Sequence, residues 1–99
     1  MPYDSTTGET PFSFQLRPNP DVLSQRYDDS VVLLNLSTDK FFHLNRTGAR
    51  FWELLGERSN LTEIRETMSR EFEVEGSQLQ AEMTALISDL REQDLVQVL

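Results

Sequence analysis

The sequence predicts an α+β domain, a small antiparallel sheet followed by three helices. Residues 12–16 alternate apolar and polar, and 30–36 and 41–44 are short apolar runs separated by a turn, whereas apolar residues between 48 and 90 recur at every third or fourth position. The two periods occupy separate stretches, so a run of strands precedes a run of helices. A length of 99 residues suits one core and leaves little room for a second domain.

Residues 1–11 (MPYDSTTGETP) are polar, carry Pro2, Gly8 and Pro11, and show no apolar period; they are expected to form a flexible tail ahead of a domain over 12–99. Phe12-Ser13-Phe14-Gln15-Leu16 alternates as a half-buried strand does, and Arg17-Pro18-Asn19-Pro20 is expected to interrupt it. Residues 21–28 fit either a helical turn or a short strand. The clearest strand is Ser30–Leu36, with Val32, Leu34 and Leu36 on one face and Val31, Leu33 and Asn35 on the other. Ser37-Thr38-Asp39-Lys40 is turn chemistry, and Phe41–Leu44 is the returning arm of the hairpin.

Asn45 or Thr47 can cap a first helix carrying Gly48, Phe51, Trp52 and Leu55, which Gly56 and Arg58-Ser59 end. Asn60-Leu61-Thr62-Glu63 reads as a capping box opening a second helix, with Leu61, Ile64, Met68 and Phe72 on one stripe. Gly76 and Ser77 break the chain. A third helix over Ser77–Gln93 carries Leu79, Met83, Leu86, Ile87 and Leu90, and Leu95–Leu99 is expected to pack back in extended form.

Charge narrows the possible partners. The net charge is −8, and the excess is uneven: residues 61–99 hold Arg65, Arg70 and Arg91 against nine carboxylates. A phosphate backbone would be repelled there. The second and third helices with a hairpin resemble a winged-helix arrangement, yet residues 77–95 offer one cation, Arg91, beside Glu82, Asp89, Glu92 and Asp94. No nucleic acid is therefore expected as a partner. No run approaches the ~20 apolar residues of a membrane span. With no signal peptide and no cysteine, a cytoplasmic protein that does not bind membranes is expected.

Catalytic chemistry is not legible. His43 is the single histidine, on a strand face, with no partner nucleophile in any recognisable motif. No second His or Cys stands at metal-ligand spacing, and Glu71-Phe72-Glu73-Val74-Glu75 lacks the oxygen-rich glycine loop of a calcium site. Gly8, Gly48, Gly56 and Gly76 are scattered rather than gathered in a phosphate loop. No enzyme activity, metal or cofactor is expected. Peptide or protein recognition remains: Lys40–Asn45 can form a free strand edge, a template for a guest strand. The same spacing also allows the third helix or the N-terminal segment to cover that edge.

A resemblance favours the guest. Leu44-Asn45-Arg46-Thr47-Gly48-Ala49-Arg50-Phe51-Trp52-Glu53-Leu54-Leu55, preceded by Val32–Phe42 and followed by Leu90-Arg91-Glu92-Gln93-Asp94-Leu95-Val96, resembles the PqqD-like family over roughly residues 28–99. These are recognition elements of ribosomally made, post-translationally modified peptide pathways. Asp39 and Asp94 stand where that family often has glycine, and aspartate tolerates a left-handed backbone better than most residues.

The resemblance implies a winged-helix-like domain with a three-stranded sheet. Such a domain binds the leader segment of a precursor peptide as an antiparallel strand, between the third strand and the third helix. It then presents the leader to a leader peptidase or other modifying enzyme. Carried onto this chain, the contacts are Lys40, Phe41, Phe42, His43 and Asn45 on the strand and Glu82, Met83, Leu86, Asp89 and Leu90 on the helix. Phe42 shares a face with Leu44, which favours the core for both, and Phe41 and His43 are the outward pair. Trp52, Leu79 and Ile87 are expected in the core, whereas Met83, Leu86 and Leu90 fit either role. A chain holding only this domain is expected to dock to a separate enzyme. Lasso-peptide pathways use such free-standing versions, as do pyrroloquinoline quinone and other radical-enzyme pathways; the polar N-terminal extension and the Phe-Phe-His-Leu-Asn-Arg-Thr-Gly stretch look closer to the lasso-peptide type. The alternative is an acidic scaffold or inhibitor that binds an enzyme and no leader.

Overall fold

The computed structural model describes residues 14–99, so the expected tail over 1–11 and the start of the expected strand at 12–16 lie outside the described residues. The expected interruption at Arg17-Pro18 is instead a strand, β1 (Leu16–Pro18), paired antiparallel with β5 (Val96–Val98), Leu16 opposite Val98. Each strand of a two-stranded ribbon has one unpaired side, and proline is tolerated where its missing N–H would face that side. The Leu99 amide donates to the Gln15 carbonyl at 2.8 Å, extending the ribbon.

The main sheet has three antiparallel strands in the order β2 (Val22–Tyr27), β3 (Ser30–Asn35), β4 (Lys40–Leu44). Residues 22–27 are a strand because every one of them pairs with β3, from Val22 opposite Asn35 to Tyr27 opposite Ser30. Their own pattern gives no such sign, since five of the six are exposed. β3 ends at Asn35, one residue short of the expected end, and Leu36 lies exposed in the turn. The alternation of β3 is as expected: Val31, Leu33 and Asn35 are buried, Val32 and Leu34 half-buried.

Three helices follow: α1 (Arg46–Glu57), α2 (Leu61–Phe72) and α3 (Gly76–Glu92). Asn60 caps α2 by accepting from the Glu63 amide at 3.0 Å, while the Glu63 carboxylate lies 3.7 Å from Arg58 rather than closing the box. α2 stops at the left-handed Glu73, so Gly76 begins α3 instead of breaking the chain. The core joins the inner sheet face (Val31, Leu33, Leu44) to Phe51, Leu54 and Leu55 of α1, Ile64 and Met68 of α2, and Leu79, Met83, Ile87 and Leu90 of α3. Leu16, Leu95 and Val96 close it from the ribbon side. Burial at roughly 25 cal/mol per Å² makes this cluster the main source of stability.

Asp39 and Asp94 adopt φ of 59° and 57°, the left-handed conformation that the resemblance implied at these two positions. Asp39 returns its amide to the Asn35 carbonyl at 2.8 Å, which closes the β3–β4 turn.

Candidate functional site

β4 pairs with β3 along one side, Val31 opposite Leu44 through Asn35 opposite Lys40, and its other side is unpaired among the described residues. A strand edge of this kind presents a row of backbone donors and acceptors. β4 packs against α1, whereas its backbone barely approaches that of α3. Just past the end of β4, an open groove of about 470 Å³ lies between the start of α1 and the face of α3. Asn45, Thr47 and Gly48 line one wall; Glu82, Ala85, Leu86 and Asp89 line the other.

Each wall has a local cause. Asn45 caps α1, its Oδ1 accepting from the Gly48 amide at 2.9 Å, and its carbonyl accepts from the Ala49 amide at 2.7 Å. This bond turns the chain sharply from β4 into α1. Gly48 allows the turn to sit tight against the strand: a Cβ there would stand 3.1 Å from Leu44 Cδ2 and 3.3 Å from Leu44 Cβ. On α3, positions 82, 85, 86 and 89 follow the three-and-four spacing of one helix face. Glu82 and Asp89 are exposed at the rim, and the lining includes no cation.

The sequence-predicted residues divide. Asn45, Glu82, Leu86 and Asp89 line the groove, and Lys40, Phe41 and His43 are exposed along β4. Phe42 is half-buried against the core, with Leu44 beneath it at 2% exposure. Met83 and Leu90 are corrected: at 1% and 0% exposure they belong to the core and have no surface to offer a guest. They lie on the inward stripe with Leu79 and Ile87, about a third of a turn from the groove-facing positions. Thr47, Gly48 and Ala85 line the groove without having been singled out. Ala85 was legible from its place between Glu82 and Asp89, but Gly48 and Thr47 read only as helix-start residues.

On the outer sheet face Leu23, Leu34 and Phe41 stand in one cross-strand row, with Gln25, Val32 and His43 in the next. Phe41 is 71% exposed, and Leu23 is exposed too. This apolar row ends at the free edge of β4.

A second, smaller cavity of about 160 Å³ lies where β2, α1 and α2 meet, lined by Arg26, Arg46, Arg50, Glu53, Glu71 and neighbours. Arg50 grips Glu71 with two bonds, Nε to Oε1 at 2.8 Å and Nη2 to Oε2 at 2.7 Å, and reaches Glu53 at 3.1 Å. Arg26 pairs with Glu53 from the other side. The hydrogen bond from Arg50 holds the Glu71 carboxyl below the usual carboxylate range, and the same bond pushes the Arg50 guanidinium up. Arg26, Arg50, Glu53 and Glu71 satisfy one another and tie β2, α1 and α2 together.

Among the described residues no three His, Cys, Asp or Glu side chains are grouped to hold a metal ion. No described helix is long and apolar enough to cross a membrane.

Comparison with known proteins bears on the family and the fold. The family described as Coenzyme PQQ synthesis protein D (PqqD) matches residues 30–96. A solved structure titled "TbiB1 in Complex with the TbiA(beta) Leader Peptide" superposes with a TM-score of 0.77 at 30% identity, covering 82% of this chain and 94% of that one. Another, "Lasso peptide synthetase B1 complexed with the leader peptide", gives a TM-score of 0.74 at 23% identity over 83% of this chain and 96% of that one, a likeness of fold. No curated protein matches the chain.

Proposed function

The chain belongs to the PqqD family, and on that footing we propose that it binds the leader segment of a ribosomally made precursor peptide by strand addition to β4. It then presents that peptide to a leader peptidase or other modifying enzyme, in a pathway of the lasso-peptide type. One observation carries the reading: a strand edge unpaired among the described residues leads into Asn45, which lines a groove whose far wall is α3. The similar structure at 30% identity is a complex with a leader peptide, which supports the same use of this surface.

In this reading the guest backbone gains its affinity from the main-chain row of β4 and its specificity from alternate side chains. Side chains on the inner side enter the groove toward Gly48, Ala85 and Leu86; those on the outer side lie beside Phe41 and His43. Phe42 borders the guest from the core side, and Lys40 and Asn45 mark the two ends of the edge. Glu82 and Asp89 at the rim steer a cationic leader more than they hold it. Met83 and Leu90 act from beneath, by fixing the helix. The chain's role is recognition rather than catalysis, in partnership with a modifying enzyme.

Fluorescence polarisation with a labelled leader peptide from the precursor encoded beside this chain tests the reading. Saturable binding in the submicromolar to micromolar range is expected, competed by unlabelled leader. No binding by any such leader, with a partner enzyme still retained in a pull-down, would replace it by the scaffold reading.

A further inference from the structure

Asn35 is the one polar side chain buried among the described residues, at 1% exposure. It ends β3, opposite Lys40, the first residue of β4. Its Nδ2 donates to two carbonyls just past α3, Gln93 at 3.2 Å and Asp94 at 3.1 Å, while its Oδ1 accepts from the Ser37 amide at 2.9 Å. Both amide hydrogens and the oxygen are therefore used, as burial of such a group requires. The left-handed Asp94 is held a second time, by Asn19 Nδ2 on its carbonyl at 2.7 Å.

We infer that Asn35 is a positioning residue for the peptide groove: it sets how far the C-terminal end of α3 stands from the β3–β4 hairpin. The inference rests on the leader-binding reading of that groove. Its physical basis is that the backbones of β4 and α3 scarcely approach each other, so the shared core side chains hold them loosely and polar ties near their ends sharpen the spacing. At one end the Asn45 cap and Gly48 seat the start of α1 against Leu44. At the other, Asn35 joins the sheet to the exit of α3. A guest strand must lie roughly 4.8 Å from β4 while its side chains still reach the helix, which leaves little tolerance in the spacing. A hydrophobic residue could fill the volume of Asn35 but could not hold two carbonyls at a fixed distance from the strand.

Two variants and a control separate positioning from plain stability. Asn35→Asp keeps the shape and the Ser37 contact but sets an acceptor against the Gln93 and Asp94 carbonyls; Asn35→Ser keeps a shorter donor. Ile64→Ala removes core volume on α2, outside the groove lining, and lowers stability without touching the groove, its melting temperature being measured beside those of the Asn35 variants. Leader polarisation is read at a temperature where circular dichroism shows all of them folded. Asn35→Asp is expected to weaken binding about tenfold or more, Asn35→Ser less, and Ile64→Ala less than about twofold. Unchanged affinity in both Asn35 variants, or an equal loss in Ile64→Ala, overturns the inference.

A leader-free measurement keeps the two readings apart. In 1H–15N spectra Asn35→Asp should shift the amides of β4 and of residues 85–89 together while those of α2 stay in place. If those groove amides do not move, Asn35 does not set the spacing. If they move but the wild-type chain binds no leader, the spacing role stands and the leader-binding reading falls.

Discussion

The backbone amide of Gly48 is bound by the Asn45 side chain at 2.9 Å, and the space where a Gly48 side chain would begin is already filled by Leu44. Helix propensity alone would favour alanine at position 48 by about 1 kcal/mol. Leu44 is 2% exposed, however, and its Cβ moves only with the strand, so the close approach offsets that gain. Gly48→Ala is expected to give no net stabilisation in urea denaturation, and Gly48→Val a loss of about 1–3 kcal/mol from overpacking. Both should weaken leader binding, because the same residue lines the groove.

Phe41 and Met83, both sequence-level candidates for peptide contact, should now behave differently. Phe41→Glu alters a side chain in solvent, so stability is expected within about 0.5 kcal/mol of wild type while leader affinity drops. Met83→Glu places a carboxylate in the core and is expected to unfold the domain, a cost of several kcal/mol. Circular dichroism melts beside polarisation titrations check the pair; a folded Met83→Glu would contradict the burial.

The Arg50–Glu71 pair gives a pH dependence with a definite sign. The folded Glu71 carboxyl is lowered by the guanidinium, so its stabilisation is fully present above the unfolded value of about 4.3 and fades as pH falls through the lowered one. Side-chain exposures of 32% and 39% keep the contribution to about 0.2–1 kcal/mol. Glu71→Gln should therefore be slightly less stable than wild type at pH 7, with the difference shrinking to nothing in acid. A difference that persists at pH 2 would assign the effect to packing.

Salt reports on the rim. With Glu82 and Asp89 exposed and no cation in the groove lining, affinity for a basic leader should fall between 50 and 500 mM salt, by roughly the screening of one or two surface charges. Glu82→Gln with Asp89→Asn should flatten that dependence while leaving main-chain binding in place. A slope unchanged in the double variant would place the electrostatics elsewhere.

The β3–β4 hairpin and the three helices were legible because each carries a clean period and a cap or turn at its ends. Residue type offered Asn45 or Thr47 for the first helix and Asn60 for the second, and Asn45 and Asn60 form the caps. β2 was not legible: its exposed Leu23-Ser24-Gln25-Arg26-Tyr27 has no buried face of its own and is a strand only through pairing with β3. The β1–β5 ribbon joins residues some eighty positions apart, which no local pattern can announce. On α3 the stripe identified the helix but not which side of it faced the groove, so Met83 and Leu90 were placed with Leu86. Asn35 was visible only as a polar residue in phase with Val31 and Leu33; its three hydrogen bonds required the tertiary partner.

Among the described residues no glycine occupies a left-handed position; Asp28, Asp39, Glu73 and Asp94 do so instead. A side chain there costs roughly 1–2 kcal/mol, more than the backbone freedom glycine would lose on folding. Glu73, at the exit of α2, and Asp28, at the tip of the β2–β3 hairpin, line neither cavity. Glycine at those two corners should raise heat tolerance additively while leaving ligand recognition alone. The fold thus carries unused thermal headroom, available to an engineer at bends that peptide capture does not need.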